Sequence, residues 1–243
     1  MVTKNDIKFL KNLKQKKFRD SNKCFVVEGK KSISEFINSN YQLLKLYSVD
    51  CLFFKNIDNQ FQIDYKFLKK ISFLSNPTDH IAIFQLKEIQ PINNNNLIIC
   101  LESIRDPGNL GTIIRTCDWF GVKDIVCSLD SVDCYNPKVV QSAMGSISRV
   151  NITYLDLNNF LKSTQTLKLG TSLKGKSIYK YDLNINSGII VFGNEANGMS
   201  KELLGLTNAN LTIPRYQNNF PESLNLASSL NIILAEIKRK QYS

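Results

Sequence analysis

From Leu97 onward, short apolar runs alternate with segments of helical spacing, and this constrains the fold more than any other feature. The apolar run "LIICLESI" reads as a strand, and "LGTIIRTCDWFG" reads as a helix closed by Gly121. "DIVCSL" is a strand, followed by the helix "NPKVVQSAMGS" with Asn136 as N-cap and Pro137 at its first position. The strand "RVNITYL", the helix "LNNFLKS" and the strands "LKLGTSL", "GIIVFGN" and "ANLTIPR" continue the pattern. A long helix, "SLNLASSLNIILAEIKRK", closes the chain. It repeats Leu226, Leu230, Ile233 and Ile237 at helical spacing and ends in a basic turn that suits the helix dipole. Strands that are apolar on both sides, alternating with helices, predict an α/β fold with a mainly parallel sheet covered on both faces.

A boundary precedes this alternation. In "KEIQPINNNNLIICLESI", Pro91 and the four asparagines Asn93 to Asn96 favour turn or linker. The expected division is therefore a small α/β domain over 1–92 and a larger domain over 97–243. In the first, "DIKFLKNLKQKKF" has helical spacing, with Ile7, Leu10 and Leu13 on one side. "KCFVVEG" is a strand ended by Gly29, "KKSISEFINS" a second helix, and "LLKLYSV" and "HIAIFQL" further strands.

Composition excludes several classes. With 243 residues, 43% hydrophobic and 21% charged, the chain is of globular type. No apolar run approaches the roughly 18 residues that indicate a membrane span. The start, "MVTKNDIKFLKNLKQKKF", has no apolar segment of the secretory kind, so a cytoplasmic location is expected. Cys24, Cys51, Cys100, Cys117, Cys127 and Cys134 form no CxxC pair, which favours buried thiols over disulfides or zinc. His80 is the only histidine, so multi-histidine metal sites are excluded and a Ser-His-Asp triad is improbable. The net charge is +10, and from Met1 to Lys31 ten Lys/Arg face three Asp/Glu. Such a field attracts polyanions, nucleic acid first, although a lysine-rich composition throughout gives the same number.

Three polar, glycine-containing stretches follow strands of the second domain, at the sheet edge where open parallel sheets bind ligands. They are "RDPGNLGTIIRTCDWFG" (Arg105 to Gly121), "FGNEANGMS" and "IPRYQNNFPESLN". Each has an ordinary structural reading. "DPGNLG" is good turn chemistry with Asn109 as a helix cap, "GNEANG" a tight turn, and "PESLN" a helix start. None matches a P-loop or the GxGxxG fingerprint.

Taken together, the three resemble the signatures of the SpoU/TrmH family of RNA 2′-O-ribose methyltransferases, within the SPOUT superfamily. Asn109 and Arg115 in "NLGTIIRT" resemble its first signature. Gly193, Glu195 and Gly198 in "GNEANGMS" resemble the second. Ile213, Pro214 and "ESLNLASSLNIILAE", with Ser223 and Asn225, resemble the third. The similarity spans Leu97 to about Arg239, and "KKFRDSNKCFVVEGKKSISEFI" resembles the small substrate-binding domain that often precedes that catalytic domain.

The resemblance implies a trefoil-knotted methyltransferase domain preceded by a small RNA-binding domain. It also implies S-adenosylmethionine as methyl donor, rRNA or tRNA as substrate, a homodimer, and neither metal nor membrane. It assigns donor binding to Gly193, Gly198, Ile213, Leu224 and Ser172, the first, third and fourth through their main chain. It assigns the reaction to Arg115, Asn109, Glu195, Ser223 and Asn225. The loop "RYQNNFPE" between Pro214 and Ser223 is longer and bulkier than the family pattern and is a candidate substrate contact.

Methyl transfer from a sulfonium needs in-line positioning and a more nucleophilic acceptor oxygen. The family role of Arg115 is proton acceptor, with a phosphate of the RNA assisting. A guanidinium stays protonated in proteins, so gripping the phosphate and orienting the hydroxyl is the less demanding role, and both readings stand. Arg105 is either a second phosphate contact or a surface ion pair. Glu195 is a candidate to orient Arg115, and Ser223 and Asn225 either bond ligand or cap the helix. Two other classes compete. One is a catalytically inactive RNA-binding protein on the same fold. The other, a dinucleotide-dependent oxidoreductase, lacks its glycine fingerprint.

Overall fold

The computed structural model describes residues 3–55, 57–216 and 223–242. They divide into two units, Met1–Glu88 with Asp133–Arg149, and Ile89–Val132 with Val150–Ser243.

The first unit opens with α1 (Lys4–Asn12) and α2 (Lys16–Asn22), then β1 (Cys24–Glu28) and α3 (Lys30–Ile37). β2 (Leu43–Ser48), β3 (Gln60–Gln62), α4 (Tyr65–Ile71) and β4 (His80–Gln85) follow. The strands form one sheet in the order β1-β4-β2-β3, antiparallel except for the β2/β3 pair. Thr3 and Asp6 close a capping box at the start of α1, and Leu10 and Leu13 are buried in the core, as their spacing predicts.

The helix expected over "DIKFLKNLKQKKF" is two helices, because Gln15 is extended and starts α2 afresh. The cause is Arg19, only 2% exposed. Its Nη1 donates to the Leu13 and Lys14 carbonyls at 2.8 and 2.9 Å, satisfying groups that the end of α1 leaves open. Its Nε and Nη2 donate to Asp133 Oδ2 at 3.1 and 2.5 Å. Asp133 belongs to the segment Asp133–Arg149, which joins this unit from the middle of the chain. Glu35 pairs with Arg149 at the far end of that segment.

The second unit begins with β5 (Leu97–Leu101), α5 (Pro107–Trp119) and β6 (Asp124–Cys127). The next helix, α6 (Pro137–Ala143), lies in the first unit and is capped by Asn136 as expected. β7 (Asn151–Tyr154), α7 (Leu157–Ser163), β8 (Lys168–Ser177) and β9 (Gly188–Phe192) follow, then α8 (Lys201–Gly205), β10 (Ala209–Thr212) and α9 (Leu226–Tyr242). The six strands run parallel in the order β10-β8-β9-β5-β6-β7. Every residue of β5 and β9 is buried, which is why both read as unbroken apolar runs. From β5 the chain moves outward to β6 and β7, then returns on the other side, with β9 beside β5. That reversal places the loops after β5 and β9 side by side at a topological switch point.

All six cysteines are free, five of them buried. Burial pushes the Cys24 thiol up to about 11 and raises those of Cys100, Cys117 and Cys127 further, so they pack as small apolar groups. Among the described residues no helix is long and apolar enough to cross a membrane, and no cluster of three or more His, Cys, Asp or Glu could hold a metal. Of the loop "RYQNNFPE", residues 217–222 lie outside the described residues.

Candidate active site

The loop after β5 turns directly into α5. Asp106 is the N-cap, its Oδ1 accepting from the Asn109 amide at 2.7 Å, and Pro107 takes the first helical position. Asn109 therefore sits in the first turn of α5 and leaves the capping to Asp106. Its side chain is free to bond elsewhere and does so at both ends. Asn109 Nδ2 donates to Glu195 Oε1 at 3.3 Å, and Asn109 Oδ1 accepts from Asn225 Nδ2 at 2.9 Å. Residues 86 and 116 positions away are thus joined through one amide. The three stretches that resemble family signatures meet at this point.

In the second stretch, Asn194 and Gly198 exchange main-chain hydrogen bonds of 3.0 and 2.9 Å, closing a tight loop. Asn194 Oδ1 accepts from the Ala196 and Asn197 amides, and its Nδ2 donates to the Ser103 carbonyl at 2.8 Å. The two glycines serve different ends. A Cβ on Gly193 would lie 2.1 Å from Gly198 C and Met199 N, so this glycine lets the chain pass against itself. Gly198 has open space around it but a φ of +69°, which an L side chain resists. Gly193 is thus required by its own loop before any ligand is considered.

In the third stretch, Asn225 Oδ1 accepts from the Ala227 and Ser228 amides at 2.9 and 3.3 Å, so Asn225 rather than Ser223 caps α9. Ser223 is exposed beyond the helix, and Leu224 beside it is 48% exposed. Gly193, Ile213 and Leu224 make no main-chain hydrogen bond to any described residue. Since main-chain groups rarely stay unpaired without water or a ligand, these three suit a polar ligand held by backbone contacts. Ser172 lies where the β8/β10 register jumps from Gly170 to Lys176, and its Oγ accepts from the Lys174 amide at 3.1 Å.

Arg115 lies on the exposed side of α5 with Thr112 and Trp119 and makes no hydrogen bond or ion pair to any described residue. Within one chain, Glu195 takes its bonds from Asn109 and Asn194 and none from Arg115. Arg105 is committed to Asp130, donating to its carboxylate at 2.6 Å and its carbonyl at 2.8 Å, which is the ion-pair alternative.

Sequence reasoning missed the polar brace around that ion pair. Ser103, with a φ of 52°, donates from its hydroxyl to Asp130 Oδ2 and from its amide to Ser128 Oγ. The Ser128 hydroxyl does most to hold the Asp130 carboxyl below its ordinary value, with Ser103 and Arg105 adding to it against burial. The only signal was a Ser or Asp just past the ends of β5 and β6. Between the loops after β5 and β9 lies a cleft of ≈ 350 Å³, lined by Glu102, Ser103, Arg105, Asn194, Asn197 and Ser200 among others.

Residues 96–235 match the model of the SpoU rRNA Methylase family, and residues 4–82 match an MRM3-like substrate binding domain. A 23S rRNA (guanosine(2553)-2′-O)-methyltransferase of Bacillus subtilis is 27% identical over 240 residues, 96% of this chain and 95% of that protein. A solved structure of a TrmH-family protein from Porphyromonas gingivalis superposes with a TM-score of 0.90 at 31% identity, covering 99% of each chain. An AdoMet-bound rRNA methyltransferase from Sinorhizobium meliloti superposes with a TM-score of 0.88 at 27% identity, covering 100% of this chain and 97% of that one.

Proposed function

This chain belongs to the SpoU rRNA methylase family, and on that premise we propose that it transfers a methyl group from S-adenosylmethionine to a ribose 2′-hydroxyl of rRNA or tRNA. The observation that carries the reading is the bonded series Asn225–Asn109–Glu195, which draws the three signature stretches to one place. When bound, S-adenosylmethionine supplies a methyl group on a positively charged sulfur. The main-chain groups of Gly193, Ile213 and Leu224, which bond to no described residue, suit its polar ends, with Gly198 and Ser172 completing the donor set. Arg115, uncommitted to any described residue, grips an RNA phosphate and aligns the ribose hydroxyl. Its planar fork suits both tasks, and a guanidinium has no free lone pair to take a proton, which favours this clamp over proton abstraction. Asn109 and Glu195 fix the start of α5, Asn225 ties α9 to it, and Ser223 stands exposed beside Leu224 for RNA or donor. A knotted path and a cytoplasmic location belong to the same reading.

The test is to incubate the protein with total RNA and donor labelled on its methyl group, then digest to nucleosides. Label in a 2′-O-methylnucleoside is expected. Absence of both transfer and heat of donor binding would instead indicate an inactive RNA-binding protein.

The first unit recruits the RNA in this reading, consistent with its substrate-binding match and with the exposed Lys8, Lys11 and Lys14. Deleting residues 1–92 is a poor test, because it would take Arg19 from Asp133 and the unit from its own segment Asp133–Arg149. Replacing the three lysines by glutamine should weaken RNA binding and flatten its log–log salt dependence by about 0.7 for each phosphate no longer neutralised. Donor affinity should not change. Equal salt slopes for variant and wild type would remove these lysines from RNA recognition.

A homodimer is part of the proposal. The apolar stripe of α9 is largely spent inside the second unit, where Leu230, Ile233, Leu234 and Ile237 are buried. Support comes instead from Trp119, 85% exposed on the same side of α5 as Arg115. Sedimentation at micromolar concentration should show one species of twice the chain mass, and a fully active monomer would refute it.

A further inference from the structure

One edge of the sheet in the second unit carries a surface that neither the donor nor Arg115 accounts for. Where β8 runs beside β10, Gly170 pairs with Asn210 but Lys176 already with Leu211, so 171–175 arch out of the sheet. Both feet of the arch press on Asn210. A Cβ on Gly170 would meet its Oδ1, and one on Gly175 its carbonyl oxygen, each at 2.4 Å. Between the feet, Thr171 Oγ1 donates to the Val191 carbonyl at 3.1 Å, and Thr212 Oγ1 donates to the Leu173 carbonyl at 3.3 Å. β8 then ends in a turn whose Ser177 carbonyl accepts from the Lys180 and Tyr181 amides. In the same turn the Ile178 amide donates to the Thr212 carbonyl at 3.0 Å, and the Ile178 side chain is buried. Arch and turn are thus fixed to the strand end that leads into Ile213 of the donor set. What they hold outward is cationic and apolar. Leu173 and Tyr179 are exposed, as is Tyr216 in the loop after β10. Lys174, Lys176 and Lys180 are exposed and meet no carboxylate among the described residues; Lys176 Nζ lies 5.9 Å from the centre of the Tyr181 ring. The only acid over 168–185 is Asp182, which accepts from the Asn184 amide at 3.1 Å.

We propose that this surface binds an unpaired strand of RNA beside the nucleotide being methylated, its lysines holding phosphates and Tyr179 stacking on a base. This rests on the methyl-transfer reading above, and it adds to the lysines of the first unit an RNA contact on the catalytic unit itself. Phosphates recur at every nucleotide of a strand and call for cations that no carboxylate neutralises. An unpaired base offers its face to an exposed ring, whereas bases in a duplex cover one another and offer none. A second copy of the chain is the poorer occupant, because a self-complementary contact would set these lysines against their own copies.

The full chain is titrated at low salt with a fluorescent oligouridylate, and separately with an RNA duplex of the same length, and binding is read by anisotropy. Tyr179→Ala should weaken the single strand on the order of 10-fold and leave the duplex unchanged, while Tyr179→Phe keeps the ring and stays within about twofold of wild type. The salt dependence should not change in either variant. Lys174→Gln combined with Lys180→Gln should instead flatten the log–log salt slope by about 0.7 for each phosphate no longer neutralised. Donor affinity and unfolding temperature should match wild type throughout. Ultraviolet crosslinking should place the oligouridylate on the tryptic peptide that contains Tyr179. Equal losses by Tyr179→Ala on single strand and duplex, a loss on neither, or crosslinks confined to the first unit would overturn the proposal. A Tyr179→Ala protein that keeps its RNA affinity but no longer self-associates would assign the surface to a contact between copies. None of these readouts needs methyl transfer. An active enzyme whose variants bind RNA unchanged would lose this surface and keep the reaction, and the reverse result would keep the surface alone.

Discussion

Arg115→Ala protein should bind S-adenosylmethionine as tightly as the wild type and methylate RNA slower by on the order of 10²–10³-fold or more. The separation follows from where the side chain lies. Arg115 is exposed on α5 and bonds to no described residue, so its removal should change stability by only about 0.5 kcal/mol or less. The donor contacts belong to other loops, those holding Gly193, Ile213 and Leu224. Arg115→Lys keeps the charge but loses the planar fork, and should also be severely impaired because a point charge holds a phosphate without aligning the hydroxyl. Donor binding is read by calorimetry and transfer by labelled methyl incorporation. A folded, donor-binding Arg115→Ala protein with near wild-type transfer would remove Arg115 from the reaction.

Gly193→Ala should fail in the opposite way, losing the donor. Its new methyl group would meet the main chain of Gly198 and Met199 at 2.1 Å, and a backbone cannot step aside as a flexible side chain can. The loop must open where Asn194 and Gly198 pair, which moves Glu195 away from Asn109. Donor affinity should fall by at least about 100-fold, and the strain should cost roughly 3 kcal/mol in thermal or urea unfolding. Gly198→Ala is the matched comparison. It has room for the methyl group and strains only a φ of +69°, so about 1–2 kcal/mol and a milder loss of affinity are expected. Wild-type affinity in Gly193→Ala would show that the loop's close self-approach is dispensable.

The sequence was most legible where local pattern and tertiary environment demand the same residues. The apolar runs of β5 and β9 could serve only as strands buried on both faces, and the parallel sheet follows from them. It was least legible where a distant partner decides. No glycine or proline marks the break between α1 and α2, because Arg19 makes it with the Leu13 and Lys14 carbonyls that follow α1 and a carboxylate 114 residues away. The spacing of α6 shows that it has an apolar face but not which unit receives it, and it went to the first. The site was legible as three stretches, although the roles inside them shifted. Asp106 before Pro107 was an available cap signal, and it released Asn109 for other work. "PESLN" offered Ser223 and Asn225 as caps on equal terms, and only the bond to Asn109 distinguishes them. The Ser103–Ser128–Asp130 brace joins two strand ends that the linear order keeps 25 residues apart.

The cap of α9 has a consequence for direction. An asparagine amide has an accepting and a donating end, and Asn225 must turn its oxygen toward the open amides of α9. Its nitrogen is then forced toward Asn109, which can only answer with its own oxygen and so turns its nitrogen to Glu195. The orientation chosen at one helix end therefore passes through two side chains and finishes on a carboxylate. Aspartate and serine cap helices as well as asparagine does. Neither serves here: aspartate would set lone pair against lone pair at Asn109, and serine has no second arm to reach it. The choice of residue at 225 is thus fixed by a carboxylate it never touches.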